Sequence, residues 1–209
     1  IVLRGAGDLA FAAGADISEF ERNRADANAT RAYEEATTAA HLALEQSPKP
    51  VIAQIHGFCM GGGLAIALSC DLRYCADDAQ FAIPAARLGV GYGLHGHRRL
   101  VATVGHANAR EIMFSARRYD ALEASAIGLV NRVLSRAELA DYVAGFAFEL
   151  AERAPLTQAA SKAAINALIA ADGDFEACQR LAAGCFASQD YTEGRTAFME
   201  KRKPAFTGT

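Results

Sequence analysis

Long apolar segments are missing from this chain of 209 residues. No uninterrupted apolar run approaches the roughly 18 residues that a helix needs to cross a bilayer. The first residues, IVLRGAGDLAF, also lack the basic region and long apolar segment of a secretory signal. We therefore expect a soluble protein with no membrane partner.

The chain also lacks a large excess of charge of either sign. The formal net charge is -3, and lysine and arginine are scattered along the chain. Proteins that bind a nucleic-acid backbone carry a basic patch or stripe, so we expect no nucleic-acid partner. The local exception is the tail FMEKRKPAF, whose basic run is typical either of a phosphate-bearing ligand's contact or of a solvated helix end.

Cysteine patterns that hold metals or disulfides are absent as well. The chain has five cysteines, no C-x-x-C pair and no histidine at metal-ligand spacing from them. Reduced and mostly buried thiols are therefore expected, which favours a cytoplasmic location and no bound metal. Low-complexity linkers and repeats of fixed period are also missing, so one domain with an extension is the simplest organisation.

The composition that remains, 52% hydrophobic and 22% charged, suits a folded protein with one sizeable core. Short β-branched runs alternate with glycine-containing turns and apolar helices, an order that predicts an α/β layer arrangement. The predicted strands lie in IVLRG, VIAQIHG, DLRYCA, AQFAIP and LVNRVL. We expect an α/β core over residues 1–134 and a helical region over residues 135–209.

Helices are predicted from spacing. DLAFAAGAD is interpreted as turn-like, and Asp16 followed by Glu19 has the spacing of a capping box that starts a helix near Ile17. Helical stripes recur at i, i+4, i+7 and i+11 in two places. The stripes are Ala32, Ala36, Ala39 and Ala43, and Leu139, Val143, Phe146 and Leu150.

The stretch HGFCMGGGLAIALSCD carries the first functional signal. A strand that runs through Gly61, Gly62 and Gly63 into a helix leaves backbone N–H groups unpaired at the helix start, where negative charge is favoured. Tight packing alone explains such glycines equally well. The Lys-Ser/Thr ending of a P-loop is missing. A second helix start offers the N–H of Ala15, and two such donors at one oxygen would form an oxyanion hole.

Four segments together resemble the enoyl-CoA hydratase/isomerase family, also called the crotonase superfamily. They are AFAAGADISEF, PVIAQIHGFCMGGGLAIALSCDLRYCADDAQF, IGLVNRV and AFMEKRKPAF. The resemblance implies a crotonase-like spiral of ββα repeats, a helical C-terminal trimerisation region and a homotrimer or dimer of trimers. It also implies coenzyme A thioester substrates and no prosthetic group. By this resemblance, we expect this sequence to correspond to the family without its N-terminal hairpin.

The resemblance carries roles to individual positions. Ala15 and Gly62 match the two residues whose N–H groups hold the thioester oxygen. Other positions match residues that contact coenzyme A, at the adenine pocket or from a neighbouring subunit's tail. They are Ala13, Asp16 and Ile17 for the pocket, and Phe198 and Lys201 for the tail.

Two positions depart from the family. Where hydratases carry glutamates, this chain has Ala65 and Ala85. Addition of water needs a positioned acid or base, which typically contributes about 10²–10⁴-fold, so we expect weak hydratase activity. Decarboxylation needs no proton abstraction, because the departing carbon dioxide leaves its electrons to the carbonyl.

A tyrosine favours decarboxylation. ARLGVGYGLHGHRRL resembles the same stretch of methylmalonyl-CoA decarboxylases, and Tyr92 matches a tyrosine placed against the reacting group. A packed loop tyrosine is an equally good interpretation. Arg87, His95 and Arg98 are further candidates for contact with a carboxylate. Decarboxylation of a methylmalonyl- or ethylmalonyl-type thioester and a silent scaffold that binds coenzyme A therefore remain alternatives.

Overall fold

The computed structural model describes residues 1–16, 26–170 and 172–209, and elements are numbered within these ranges. The strands are β1 Val2–Arg4, β2 Ala10–Ala12, β3 Ile52–Ile55, β4 Phe58–Met60, β5 Leu72–Ala76, β6 Gln80–Ala82, β7 Tyr119–Asp120 and β8 Arg132–Leu134. The helices are α1 Ala27–Gln46, α2 Gly62–Ser69, α3 Ala85–Leu88, α4 Leu94–Ser115, α5 Ala121–Ala126, α6 Arg136–Ala151, α7 Pro155–Ile169, α8 Phe175–Phe186 and α9 Gln189–Glu200. A backbone break at Gly105 divides α4.

The strands form two sheets that the chain visits alternately. One sheet has the order β1-β3-β5-β8 and is parallel throughout. The other has the order β2-β4-β6-β7, with β7 antiparallel to β6. Each pair of consecutive strands therefore adds one strand to each sheet, which confirms the predicted spiral of ββα repeats.

The second sheet was only partly predicted. The segment around β2 was expected to be turn-like, but residues 10–12 pair in parallel with β4. β2, β4 and β7 have at most three residues, so none is long enough to show the alternation that reveals a strand. Their stability comes from neighbouring strands rather than from local sequence.

Helix α1 confirms the helix predicted from the alanine stripe, but not through the alanines. Ala32, Ala36, Ala39 and Ala43 are all exposed. The buried positions are His41 and Glu45, and Asp26 caps the helix by accepting from two backbone N–H groups. The capping box predicted from Asp16 and Glu19, and the helix start at Ile17, lie outside the described residues.

Two apolar clusters hold the elements together. The larger one lies around α2, where Leu64 and Leu68 are buried as predicted for LAIALSC. The smaller one joins α6 to β3 and β5 through Leu139 and Val143, which confirms the second helical stripe. α6 thus packs on the first sheet, while the division into residues 1–134 and 135–209 stays a prediction.

The described residues also bear on the expectations for the cysteines and for membrane-spanning helices. Cys59, Cys70 and Cys75 are buried as free thiols. Within the described ranges, no helix combines the length and the apolar character that crossing a bilayer requires.

Candidate active site

A cavity of about 420 Å³ brings together the start of α2, the segment after β2, one face of α1 and the loop before α4. Four of the residues to which the family resemblance assigned a role line it. They are Ala13, Ala15, Gly62 and Tyr92. Among the described residues of this cavity, two groups differ in character: one presents backbone and the other presents polar side chains.

The backbone side, here called the backbone wall, consists of residues 13–15 and Gly61 with Gly62. A Cβ built on Gly62 would lie 3.8 Å from the Ala15 nitrogen, and one built on Gly14 would lie 3.8 Å from the Gly62 nitrogen. The two nitrogens named in the sequence therefore sit side by side. Gly62 is the first residue of α2, whose N-cap makes no side-chain hydrogen bond, so its N–H has no capping partner.

Glycine is required around this wall for two different reasons. Gly14 and Gly61 have φ of 108° and 52°, in the region that side chains rarely adopt. A Cβ on Gly63 would lie only 2.3 Å from the Ala12 carbonyl oxygen. The packing of α2 against β2, which sets the two N–H groups side by side, thus leaves no room for a side chain there.

Ala65 and Ala85 both line the cavity and are nearly buried, at 7% and 8% exposure. Neither side chain can accept or donate a proton. The two positions at which the sequence resemblance led us to expect glutamates therefore carry only methyl groups in this cavity.

Tyr92 lies on the cavity with its ring packed against Gly96 and edge-on to His97, at 5.4 Å between ring centroids. Its hydroxyl is buried and has no hydrogen-bond partner among the described residues. Burial, with a smaller contribution from Cys59, raises the pKa of Tyr92 to about 12. The hydroxyl is therefore protonated at neutral pH and is a donor without an acceptor.

The polar side, here called the histidine wall, consists of His41 on α1 and His95 on α4. Their rings stack with centroids 5.9 Å apart. Behind them, Glu45 accepts from His95 Nε2 at 3.0 Å and pairs with Arg99 Nε at 3.3 Å. Burial is the main reason why the pKa of His41 is lowered, and His95 lowers it further while Glu45 raises it.

Helix α7 fixes this arrangement from the far side. Asn166 accepts from Arg99 Nη1 at 3.1 Å and donates to the backbone oxygen of Glu45 at 2.9 Å. Arg99 and Glu45 are nearly buried, with side-chain exposures of 11% and 10%. The ion pair and its amide partner hold the histidine wall in one geometry.

Sequence reasoning missed the contribution of α1. His41 and Glu34 line the cavity, and Glu45 stands behind it. A signal was present, because His41 with Glu45 and His95 with Arg99 are i, i+4 pairs that each share one helix face. Glu34 is exposed and lines the cavity, so an acidic residue is present there although Ala65 and Ala85 replace the expected glutamates.

Several predicted residues lie away from the cavity. Asp16 is exposed and does not line it, and Ile17 is outside the described residues. Phe198 is 82% exposed on α9, and Lys201 ends that helix in a left-handed conformation. Of the three further candidates for carboxylate contact, His95 lines the cavity, whereas Arg87 and Arg98 do not.

In the parts of the chain that the structure describes, no group of three or more histidine, cysteine or acidic residues is placed to hold a metal ion. The groups at the cavity include two adjacent backbone N–H donors, a buried phenol, a hydrogen-bonded histidine with a second histidine stacked on it, and the exposed residue Glu34. Such a set suits an oxyanion and a proton transfer.

The whole chain, residues 1–209, matches the sequence model of one family, Enoyl-CoA hydratase/isomerase. The chain belongs to this family. It is 39% identical over 206 residues to the short-chain-enoyl-CoA hydratase of Clostridium acetobutylicum, covering 97% of this chain and 78% of that protein. It is 33% identical over 213 residues to the methylmalonyl-CoA decarboxylase of Escherichia coli, covering 100% and 80%.

Solved structures agree with this assignment. An enoyl-CoA hydratase/carnithine racemase from Magnetospirillum magneticum superposes with a TM-score of 0.91 at 38% identity. The match covers 100% of this chain and 78% of that one. The crotonase-like fold implied by the sequence resemblance is therefore confirmed, and its relatives include both a hydratase and a decarboxylase.

Proposed function

We propose that the protein processes acyl-CoA thioesters by stabilising a thioester enolate between the N–H groups of Ala15 and Gly62. The observation that carries the proposal is the side-by-side position of these nitrogens, with a Cβ on Gly62 only 3.8 Å from the nitrogen of Ala15. Each donor aimed at an oxygen that gains charge contributes roughly 2.7–4 kcal/mol to the transition state. The family's hydratases and decarboxylases both act on coenzyme A thioesters by name.

Of hydration and decarboxylation, hydration is the reaction that this chain is expected to catalyse less well. It requires a group that deprotonates water and another that protonates the α-carbon. Ala65 and Ala85 supply neither, although they line the cavity. We therefore expect crotonyl-CoA to be hydrated far more slowly than the typical enzymatic turnover of about 1–10³ per second.

Decarboxylation of a methylmalonyl- or ethylmalonyl-type thioester is the second candidate, and Tyr92 favours it. In this reaction the bond between the α-carbon and the carboxylate breaks, and its electron pair moves into the thioester carbonyl. Ala15 and Gly62 then hold the resulting oxyanion. The Tyr92 hydroxyl is buried and has no hydrogen-bond partner in the described part of the chain, so it is suited to hydrogen-bond the departing carboxylate.

Coenzyme A binding completes the proposal. Ala13, Asp16 and Ile17 are assigned to the adenine pocket. Phe198 and Lys201 are assigned to the coenzyme A of a neighbouring subunit, in a homotrimer or dimer of trimers. Their exposure on α9 is what such a contact requires, since an intramolecular partner would bury them.

The test is to incubate the protein separately with crotonyl-CoA, methylmalonyl-CoA and ethylmalonyl-CoA and to follow each thioester by mass spectrometry. Loss of carbon dioxide with crotonyl-CoA intact supports a decarboxylase. Rapid hydration of crotonyl-CoA contradicts the role given to the two alanines. Binding of coenzyme A without consumption of any thioester contradicts catalysis and supports a silent scaffold.

A further inference from the structure

We propose that His95, held by Glu45, is the residue that exchanges a proton with the α-carbon of the bound thioester, in place of the missing glutamates. The inference rests on the proposed function, because it needs an enolate at the backbone wall. Four observations carry it: the lining of one cavity by both walls, the hydrogen bond to Glu45, the burial of the ion pair and the stacking of His41.

The hydrogen bond determines which nitrogen is available. A carboxylate only accepts hydrogen bonds, so Nε2 of His95 carries a hydrogen directed to Glu45 Oε1 at 3.0 Å. Glu45 itself does not line the cavity, whereas His95 does. Nδ1 is therefore the nitrogen left to accept a proton as a base or to donate one from the imidazolium form.

The surroundings suit a histidine that changes charge. A carboxylate behind a histidine fixes its tautomer and stabilises the imidazolium, as second partners of catalytic histidines generally do. Arg99 and Asn166 keep Glu45 in place at 3.3 Å and 2.9 Å. His41, stacked at 5.9 Å, is kept in the neutral form by its lowered pKa and so adds no like charge beside an imidazolium.

The proton transfer balances without a further reactant. After carbon dioxide has left, the enolate α-carbon forms a C–H bond as the Nδ1–H bond of the imidazolium breaks, and the carbonyl is restored. Neutral His95 then takes a proton from water. With a saturated thioester the same nitrogen removes an α-proton, and return of a solvent proton produces isotope exchange without net reaction.

Glu34 is the competing group, because this acidic residue also lines the cavity. It is exposed on the first turns of α1 and is without a charged partner in the described parts of the chain. His95, in contrast, has a buried partner that fixes its orientation. We therefore assign the exchange to His95 and treat Glu34 as the alternative that the experiment must exclude.

The experiment measures deuterium uptake at the α-carbon of butyryl-CoA in D₂O by mass spectrometry, for the wild type and for His95→Gln, Glu34→Gln and His106→Gln. His106 is an exposed histidine beyond the break in α4, and it serves as the matched control. We expect exchange by the wild type, Glu34→Gln and His106→Gln, and a decrease of about 10²-fold or more for His95→Gln. Circular dichroism, with His95→Asn as a second variant, separates this loss from misfolding.

Three results overturn the inference. They are exchange by folded His95→Gln or His95→Asn at the wild-type rate, loss of exchange in Glu34→Gln alone, and absence of exchange in the wild type. The proposed function is judged separately, by consumption of the malonyl thioesters, because loss of carbon dioxide needs no α-proton abstraction.

Glu45 is a positioning residue in this proposal, and its test uses a different measurement. Glu45→Gln keeps the size of the side chain but removes its charge. We expect the exchange rate at saturating butyryl-CoA to fall about 10-fold or more while the KM stays unchanged. A change in KM alone would contradict a positioning role and indicate a loss of structure at the cavity.

Discussion

The two walls of the cavity offer different chemistry from different parts of the chain. The backbone wall presents N–H groups at Ala15 and Gly62, and it works because side chains are absent. The histidine wall presents His41 and His95, and it depends on partners from three helices. In our proposals, the backbone wall stabilises charge and the histidine wall moves protons. The alanines at positions 65 and 85 therefore remove one set of acids and bases without removing the site.

The largest expected effect comes from closing the backbone wall. Gly62→Ala adds a methyl group 3.8 Å from the Ala15 nitrogen, an ordinary contact that leaves the fold intact but obstructs the space beside the two donors. Because loss of one oxyanion donor costs about 10²–10³-fold in kcat, we expect a decrease of that size in thioester turnover. Steady-state kinetics on the accepted substrate measures it.

The matched control is Gly145→Ala in α6, where an added Cβ meets no atom within 4 Å. It should leave turnover unchanged. Equal rates for Gly62→Ala and the wild type would show that the backbone wall does not hold the thioester oxygen.

Tyr92→Phe comes next and tests the junction of the two walls. A hydrogen bond to a charged group contributes about 1.5–3 kcal/mol, so decarboxylation should fall about 10–100-fold. Unfolding in urea should show no loss of stability, because the hydroxyl removed has no partner among the described residues. Tyr142→Phe, which removes a hydroxyl from the smaller apolar cluster, is the control for activity. An unchanged decarboxylation rate would remove Tyr92 from the mechanism.

The backbone wall could be predicted from the sequence and the histidine wall could not, for a physical reason. The backbone wall arises from local rules: glycine at positive φ and free N–H groups at a helix start are visible in GGG and AAGAD. The histidine wall arises when α1 packs against α4, which brings Glu45 to His95 across 50 positions. No local pattern specifies that contact. The family resemblance did not reveal it either, because none of the segments that carry the resemblance includes His41 or Glu45.

The fold shows the same division. Strands whose apolar side chains fill the core, such as β3 and β5, were predicted. Residues 10–12 were not, because small residues become a strand there only by pairing with β4. The alanine stripe predicted α1 correctly but indicated its exposed face. Tertiary packing, and not periodicity, selected the polar face with His41 and Glu45 for burial.

A smaller effect is expected on the stability of the backbone wall. Gly63→Ala places a Cβ 2.3 Å from the Ala12 oxygen, so α2 and β2 must move apart. Overpacking of this kind typically costs about 1–3 kcal/mol, which urea unfolding monitored by circular dichroism resolves. Gly62→Ala is the matched comparison, since its added methyl group meets no atom closer than 3.8 Å. Equal free energies of unfolding for the two variants would contradict the close packing.

The smallest effect concerns the histidine wall and pH. The pKa of His41 is lowered in the folded protein, mainly by burial and then by His95, against an opposing effect of Glu45. Below the ordinary histidine pKa of about 6.5, His41 therefore binds a proton in the unfolded chain but not in the folded chain. The contribution of His41 to the free energy of unfolding should be fully present above that pH. It should be lost as the pH decreases toward the folded pKa of His41.

Urea unfolding at pH 7.5 and pH 5.5 measures this dependence, in a range above the titration of most carboxylates. His41→Gln cannot take up the proton, so its free energy of unfolding should fall less than that of the wild type between the two values. His106→Gln, whose side chain is exposed, should keep the wild-type dependence. Parallel pH profiles for His41→Gln and the wild type would mean that His41 is protonated as easily in the fold as in water. The histidine wall would then carry a second charge beside His95, which weakens the case for proton transfer there.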